Sequence, residues 1–126
     1  MTQKQPHIAV IGAGAWGTAL ALALSEAGGP ISLYARSPEL AGAINRDGQN
    51  EVYLSGIWLN NNIRATSNIA EAVKEADIIL LVTPAQFMRN TLNELKPHLP
   101  PHVPLVSCAK GIEIATGKLL SEVALK

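Results

Sequence analysis

Short runs of apolar residues recur along the chain, and longer segments of helical or irregular character separate them. The strongest run lies within Asp77–Thr83, where five aliphatic residues follow one another (IILLV). Such a run indicates burial on both faces, which is typical of a strand in a parallel sheet. The sequence predicts five strands, at residues 7–11, 31–35, 63–65, 77–83 and 105–107.

The segments between these strands predict helices, at residues 15–27, 38–46, 69–75, 85–95 and 116–125. Ser37 and Pro38 suit the cap and first turn of one helix, and either Ser67 or Asn68 can cap another. The first helix is apolar nearly all round, so we expect it to be covered on most sides. Strands that alternate with helices indicate an α/β fold with a parallel sheet.

Residues 47–62 are the one segment without a regular pattern. Large apolar side chains are mixed there with asparagines and glycines. This mixture predicts a loop that packs onto the domain rather than a free linker.

Composition and charge narrow the function classes. Hydrophobic residues make up 48% of the 126 residues, and ten basic residues balance ten acidic ones. Without a basic stripe, no nucleic-acid surface is predicted. The apolar run Ala19–Leu24 stops far short of a membrane span and lacks the flanks of a signal peptide. We therefore expect a soluble, cytoplasmic protein with no membrane partner.

The titratable residues show no pattern typical of a metal site or a nucleophile. His7, His98 and His102 are scattered, and no metal-ligand spacing is present. Cys108 is the only cysteine, and no histidine is spaced to activate it, which favours a small packed residue at a strand end. No metal site and no catalytic residue are predicted in this chain.

The most specific motif is the G-x-G-x-x-G run at residues 12–17, between the first strand and the first helix. Gly12 allows the tight turn, Gly14 lets a phosphate approach the backbone, and Gly17 lets the helix pack closely. The N–H groups of the helix's first turn then face the anion. The motif in this context predicts a Rossmann-type doubly wound parallel sheet that binds a dinucleotide.

Arg36 occupies the position where NAD-binding domains usually carry an acidic residue. It lies nineteen residues after Gly17, at the end of the second strand. A guanidinium there can pair with a 2′-phosphate or stack on adenine, so NADP or NAD is the expected cofactor, with a preference towards NADP. The alternative is an ordinary surface arginine.

Three further residues are candidates by position. Trp16, in the first helical turn, lies beside the expected pyrophosphate and can also pack on the sheet. Phe87 follows the fourth strand and can either line the cofactor groove or pack inward. Lys110 follows the fifth strand, where its ammonium group can meet a phosphorylated or carbonyl substrate, or simply lie at the surface.

Four motifs in order resemble bacterial NAD(P)-dependent glycerol-3-phosphate dehydrogenase, and the resemblance covers the chain from His7 onwards. They are G-A-G-A-W-G-T-A at 12–19, N-R…N-x-x-Y-L-x-G-I at 45–57, V-T-P-A-Q at 82–86, and S-C-A-K-G-I-E…T-G-K-L-L-S-E at 107–122. The sequence departs from the family pattern at Ala15, where a serine is frequent, and at Ser55 and Asn60, where prolines are usual.

The resemblance implies roles for the candidate residues. Ala15, Trp16 and the glycines would bind the cofactor near its pyrophosphate, and Arg36 would contact the adenosine end. Phe87 would line the nicotinamide side, and Lys110 would contact both the cofactor and glycerol phosphate. The implied reaction is reversible hydride transfer between NAD(P)H and dihydroxyacetone phosphate, giving sn-glycerol 3-phosphate for phospholipid synthesis, in an enzyme that is a homodimer at full length.

Family members carry a further all-helical domain with the catalytic lysine, and this sequence stops before it. We therefore expect residues 1–126 to be an amino-terminal NAD(P)-binding domain, truncated before the helical substrate domain, that binds cofactor with little or no turnover. Two alternatives stay open at this point: a stand-alone NAD(H)-sensing regulatory module, and a related NAD(P)-dependent reductase of another substrate.

Overall fold

A computed structural model of the chain describes residues 5–108. Strands and helices alternate along this part of the chain, as the apolar pattern predicts. The strands are β1 (Ile8–Ile11), β2 (Ile31–Tyr34), β3 (Ile63–Thr66), β4 (Ile78–Leu81) and β5 (Leu105–Ser107). The helices are α1 (Ala15–Ser25), α2 (Pro38–Asp47), α3 (Ile69–Val73) and α4 (Ala85–Leu95), with a 3₁₀ turn at Lys96–His98. The predicted helix at 116–125 lies outside the described residues.

The five strands form one parallel sheet in the order β3-β2-β1-β4-β5. The chain moves outward from β1 to β3, then crosses back to β4 on the other side of β1. This is the strand order of the Rossmann fold, and its switch point lies between β1 and β4. The predicted fold class is confirmed. Ile11, the last residue of β1, is level with Tyr34 of β2 and Leu81 of β4, so these strand ends meet at one edge.

The pleat of the strands divides the core between the two faces of the sheet. Along β1, Ala9 and Ile11 face the side covered by α3 and α4, while Val10 faces the side covered by α1 and α2. All three side chains are fully buried. Burial on both faces explains why β1, β2 and β4 are nearly continuous apolar runs.

Helix α1 is covered on most sides, as its sequence predicts, but not at every position. Its buried positions are Gly17, Thr18, Ala21 and Ser25, which share one side. Trp16 is 46% exposed. The leucines of the helix, Leu20, Leu22 and Leu24, are partly buried and pack against the core, so within residues 5–108 the expected cover is present on most sides and is missing at Ala15, Trp16 and Ala23.

Side-chain caps set where two helices begin. The Ser37 hydroxyl accepts a hydrogen bond from the Leu40 N–H at 3.2 Å, and Pro38 occupies the first turn, as predicted. For α3 the cap is Asn68, whose side-chain oxygen accepts from the Glu71 N–H at 3.1 Å.

The irregular segment after α2 packs onto the domain, but mainly through asparagines. Asn50 is fully buried, and the Asn62 amide donates to the Ser25 and Gly29 carbonyls at the end of α1, at 2.9 and 2.8 Å. By contrast Tyr53 and Trp58, two of the large side chains behind the prediction, are 53% and 71% exposed. The packing was predicted correctly; of the apolar side chains behind the prediction, Leu59 packs against the core, while Tyr53 and Trp58 do not.

Candidate nucleotide-binding site

Two of the three glycines in the turn between β1 and α1 are required by close backbone contacts. Gly12 has a φ of +130°, and a Cβ there would lie 3.0 Å from the Val82 carbonyl carbon. A Cβ on Gly17 would overlap the Gly12 carbonyl oxygen. Gly17 therefore permits a close approach between helix α1 and the glycine turn. Gly12, within that turn, lies against the residues that follow β4.

Gly14 differs from its neighbours because open space surrounds the position of its missing Cβ. No heavy atom of the described residues lies within 4 Å of that point. Its φ of −75° and ψ of −171° are accessible to any residue, and it is the N-cap of α1. The N-cap position favours glycine without requiring it, and no contact among the described residues requires it either, whereas the approach of a ligand phosphate would.

The turn forms the floor of a cleft of about 420 Å³ at the carboxyl edge of the sheet. Seven predicted site residues line it: Gly12, Gly14, Ala15, Trp16, Gly17, Arg36 and Phe87. The eighth, Lys110, lies outside the described residues. The cleft is where an open α/β sheet binds ligands, beyond the strand ends at the switch point.

Arg36 and Phe87 meet across this cleft. The Arg36 Cζ lies 5.2 Å from the centroid of the Phe87 ring, a cation–π contact between the end of β2 and the first turn of α4. Phe87 is 38% exposed, so of the two options for this residue the structure shows the groove-lining one.

Trp16 connects the first turn of α1 to the end of β5. Its indole Nε1–H donates to the Cys108 carbonyl at 2.9 Å, and the Cys108 N–H donates to the Leu81 carbonyl at 2.7 Å. Cys108 is half-buried and packs against the core, as predicted for a strand-end residue. The ring of Trp16 thus lies at the cleft rather than in the core.

Two tyrosines that the sequence analysis did not select also line the cleft, Tyr34 and Tyr53. Burial raises the pKa of the Tyr34 hydroxyl above its ordinary value, Glu94 raises it further, and Arg36 opposes the shift. The Tyr34 phenol is therefore neutral at physiological pH. The position of Tyr34 at the end of β2, two residues before Arg36, could have indicated that it lines the site. The position of Tyr53 in the irregular segment gave a weaker indication.

Asn50 is the polar residue that most directly supports the glycine turn. Its side-chain amide donates to the Ala13 carbonyl and to the Thr18 hydroxyl, both at 2.8 Å. In the sequence, Asn50 belongs to the motif N-R…N-x-x-Y-L-x-G-I, but it lies 37 residues from Ala13 and the motif does not indicate this contact. Among residues 5–108 no group of three or more histidine, cysteine, aspartate or glutamate side chains could hold a metal ion.

Residues 7–126 match the family model described as the N-terminus of NAD-dependent glycerol-3-phosphate dehydrogenase. The chain belongs to this glycerol-3-phosphate dehydrogenase N-terminal family. The match spans all four motifs that carried the resemblance, including the part of the chain beyond residue 108.

Relatives of this family are similar over almost the whole chain. Glycerol-3-phosphate dehydrogenase [NAD(P)+] of Rhodospirillum rubrum is 47% identical over 124 residues, which are 98% of this chain and 36% of that protein. The Mesorhizobium japonicum protein of the same name is 53% identical over 117 residues, 93% of this chain and 34% of that protein. The chain thus spans about a third of the length of these curated relatives.

A solved structure supports the same assignment. The crystal structure of glycerol-3-phosphate dehydrogenase from Coxiella burnetii superposes with a TM-score of 0.85 at 28% identity, covering 95% of this chain and 37% of that one.

Among residues 5–108 of the present chain, none of the helices has the length and apolar character that a membrane span needs.

Proposed function

We propose that this chain binds NAD or NADP in the cleft at the carboxyl edge of its sheet, as the cofactor-binding domain of a glycerol-3-phosphate dehydrogenase. The observation that carries the proposal is the open space beside Gly14. The other two glycines of the turn are required by contacts within the fold, whereas Gly14 has no such contact among residues 5–108. Membership of a family whose model is described as NAD-dependent supports a dinucleotide as the ligand that fills this space.

Different residues of the cleft are proposed to contact different parts of the cofactor. Gly12, Gly14 and Gly17, with the backbone of Ala15 and Trp16, are proposed to bind the pyrophosphate through N–H groups at the start of α1. An alanine at position 15 offers its N–H but no hydroxyl.

Arg36 is proposed to contact the adenosine end, either at a 2′-phosphate or on the adenine face. Its contact with Phe87 favours the adenosine side for that ring too, over the nicotinamide side that the resemblance implies. A guanidinium and an aromatic ring side by side offer two flat surfaces on which adenine can stack.

For the reaction, we propose reversible hydride transfer between NAD(P)H and dihydroxyacetone phosphate, giving sn-glycerol 3-phosphate for glycerophospholipid synthesis. Lys110 is proposed to contact both cofactor and substrate phosphate, on the family motif S-C-A-K-G-I-E. Residues 1–126 act in this proposal as the amino-terminal domain of a cytoplasmic enzyme that is a homodimer. Support comes from relatives in which the matched region is about a third of the protein.

Calorimetric titration of the chain with NADH and with NADPH tests the binding proposal. We expect saturable binding of at least one of them with a stoichiometry of one per chain. If neither binds to the folded chain at millimolar concentration, the proposal is wrong. If ADP binds and both dinucleotides fail, the cleft serves a mononucleotide instead.

A further inference from the structure

Asn50 is a fully buried polar side chain in a segment that is otherwise irregular and largely exposed. Both hydrogens of its amide are used, one on the Ala13 carbonyl and one on the Thr18 hydroxyl. Burying an amide is costly unless its hydrogen bonds are made, so this arrangement is specific to asparagine. Aspartate would place an acceptor against the carbonyl oxygen of Ala13, and a smaller residue would leave that carbonyl without the bond.

The bond to Ala13 fixes the orientation of one peptide group in the glycine turn. In a planar trans peptide, the carbonyl of Ala13 and the N–H of Gly14 point in opposite directions. Because Asn50 holds the carbonyl, the Gly14 N–H is directed away from Asn50. Gly14 lines the cleft and Asn50 does not, so an N–H on the side away from Asn50 would be available to a phosphate in the cleft.

The two oxygen atoms of Asn50 bind the segment that carries Tyr53, which also lines the cleft. The side-chain oxygen of Asn50 accepts from the Tyr53 N–H at 3.2 Å, and its backbone carbonyl accepts from the Leu54 N–H at 2.8 Å. These bonds close the turn that carries Tyr53 to the cleft. One buried side chain therefore joins the glycine turn to the Tyr53 turn.

We propose that Asn50 is a positioning residue for the pyrophosphate: it keeps the Ala13–Gly14 peptide oriented for anion binding and holds the Tyr53 turn beside it. This inference rests on the proposed dinucleotide site. It assigns to Asn50 no contact with the ligand. Its effect should therefore appear in the recognition of the phosphates more than in the recognition of adenosine.

Asn50→Leu tests the inference, since leucine has a similar shape and cannot donate. Asn45→Leu is the matched control. Asn45 also bridges to main chain, its amide donating to the Ala65 carbonyl at 2.8 Å and its oxygen accepting from the Ala65 N–H at 2.9 Å. These bonds are at β3, and Asn45 is not among the residues lining the cleft.

Two ligands distinguish a positioning role of Asn50 from a general loss of folded structure. ADP-ribose has the pyrophosphate, and adenosine has no phosphate. A variant that is only partly folded loses apparent affinity for both by the same factor, so the ratio of their dissociation constants is unchanged. Both constants are measured by NMR titration of the 126-residue chain.

We expect Asn50→Leu to weaken ADP-ribose binding about tenfold, the scale of one misdirected hydrogen bond to a charged group, with adenosine binding nearly unchanged. Asn45→Leu should leave the ratio at the wild-type value. A ratio for Asn50→Leu within about twofold of wild type would overturn the inference while leaving the proposed function intact. Failure of the wild-type chain to bind ADP-ribose would overturn the proposed function itself.

If Asn50→Leu does not fold, Thr18→Val replaces it. This variant removes one of the two acceptors of the Asn50 amide and leaves the shape of the side chain nearly unchanged. The loosened amide should reduce the preference for ADP-ribose over adenosine about threefold, and an unchanged preference would overturn the inference.

Discussion

The guanidinium of Arg36 lies over the ring of Phe87, with its Cζ 5.2 Å from the ring centroid. The contact joins the end of β2 to the start of α4 across the end of β1. Both residues line the same cleft as the glycine turn. Both residues were selected from their positions after strands, and no pattern in the sequence related one to the other.

Replacement of Arg36 by alanine should separate the two cofactors. If the guanidinium pairs with a 2′-phosphate, Arg36→Ala weakens NADPH binding about tenfold or more and NADH binding much less, because a charge-assisted hydrogen bond is lost only from NADPH. Paired calorimetric titrations measure both. Equal losses for the two cofactors would exclude the 2′-phosphate role and leave stacking on adenine.

Replacement of Phe87 tests the aromatic surface. Phe87→Leu keeps an apolar side chain and removes the ring, with its cation–π contact of about 0.5–1 kcal/mol at an exposed site. We expect affinity for NADH and NADPH to fall by similar factors of about two to five. Phe87→Tyr keeps the ring and is the control. Full affinity in Phe87→Leu would show that the ring does not contribute to binding.

The Asn68 cap should contribute to stability without affecting the site. Asn68→Ala removes the acceptor for the Glu71 N–H and should lower the free energy of unfolding by about 1 kcal/mol in urea denaturation. Asn68→Ser retains a capping oxygen and should recover most of this loss. A stability of Asn68→Ala equal to wild type would mean that water replaces the cap.

The buried Tyr34 hydroxyl predicts a loss of stability in alkaline solution. Burial raises its pKa in the folded chain, so the unfolded chain, whose tyrosines titrate near about 10, ionises first as the pH rises. The contribution of Tyr34 is complete below that pH and is lost as the pH rises through the folded pKa. Urea denaturation across this range should show the decline, and Tyr34→Phe should reduce it. An identical pH profile in Tyr34→Phe would contradict this origin.

Much of the fold was predictable because its strands are buried on both faces and its helices begin at local signals. The run within Asp77–Thr83 predicted a strand buried on both faces, and Ser37 with Pro38 marked the start of α2. Such features depend on neighbours in sequence, which a single sequence displays.

The parts that could not be predicted depend on contacts between distant residues. Asn50 meets Ala13 across 37 positions, and nothing beside Asn50 in the sequence indicates that it is buried. Likewise Tyr53 and Trp58 were expected to pack, since large apolar side chains usually are buried, yet both are exposed, and asparagine amides together with Leu59 hold the loop.

The most direct test of the nucleotide site is the affinity for NADH of Gly14→Ala, measured beside Gly42→Ala. At both positions no atom of residues 5–108 lies within 4 Å of the added methyl group and φ is not in the left-handed region, so both variants should fold, with changes in unfolding free energy of about 1 kcal/mol or less. Gly42 lies in α2 and is not among the cleft-lining residues. We predict that Gly14→Ala weakens NADH binding at least about tenfold, because its methyl group occupies the space assigned to the pyrophosphate, and that Gly42→Ala binds like wild type. Wild-type affinity in a folded Gly14→Ala variant would contradict a pyrophosphate site at this turn.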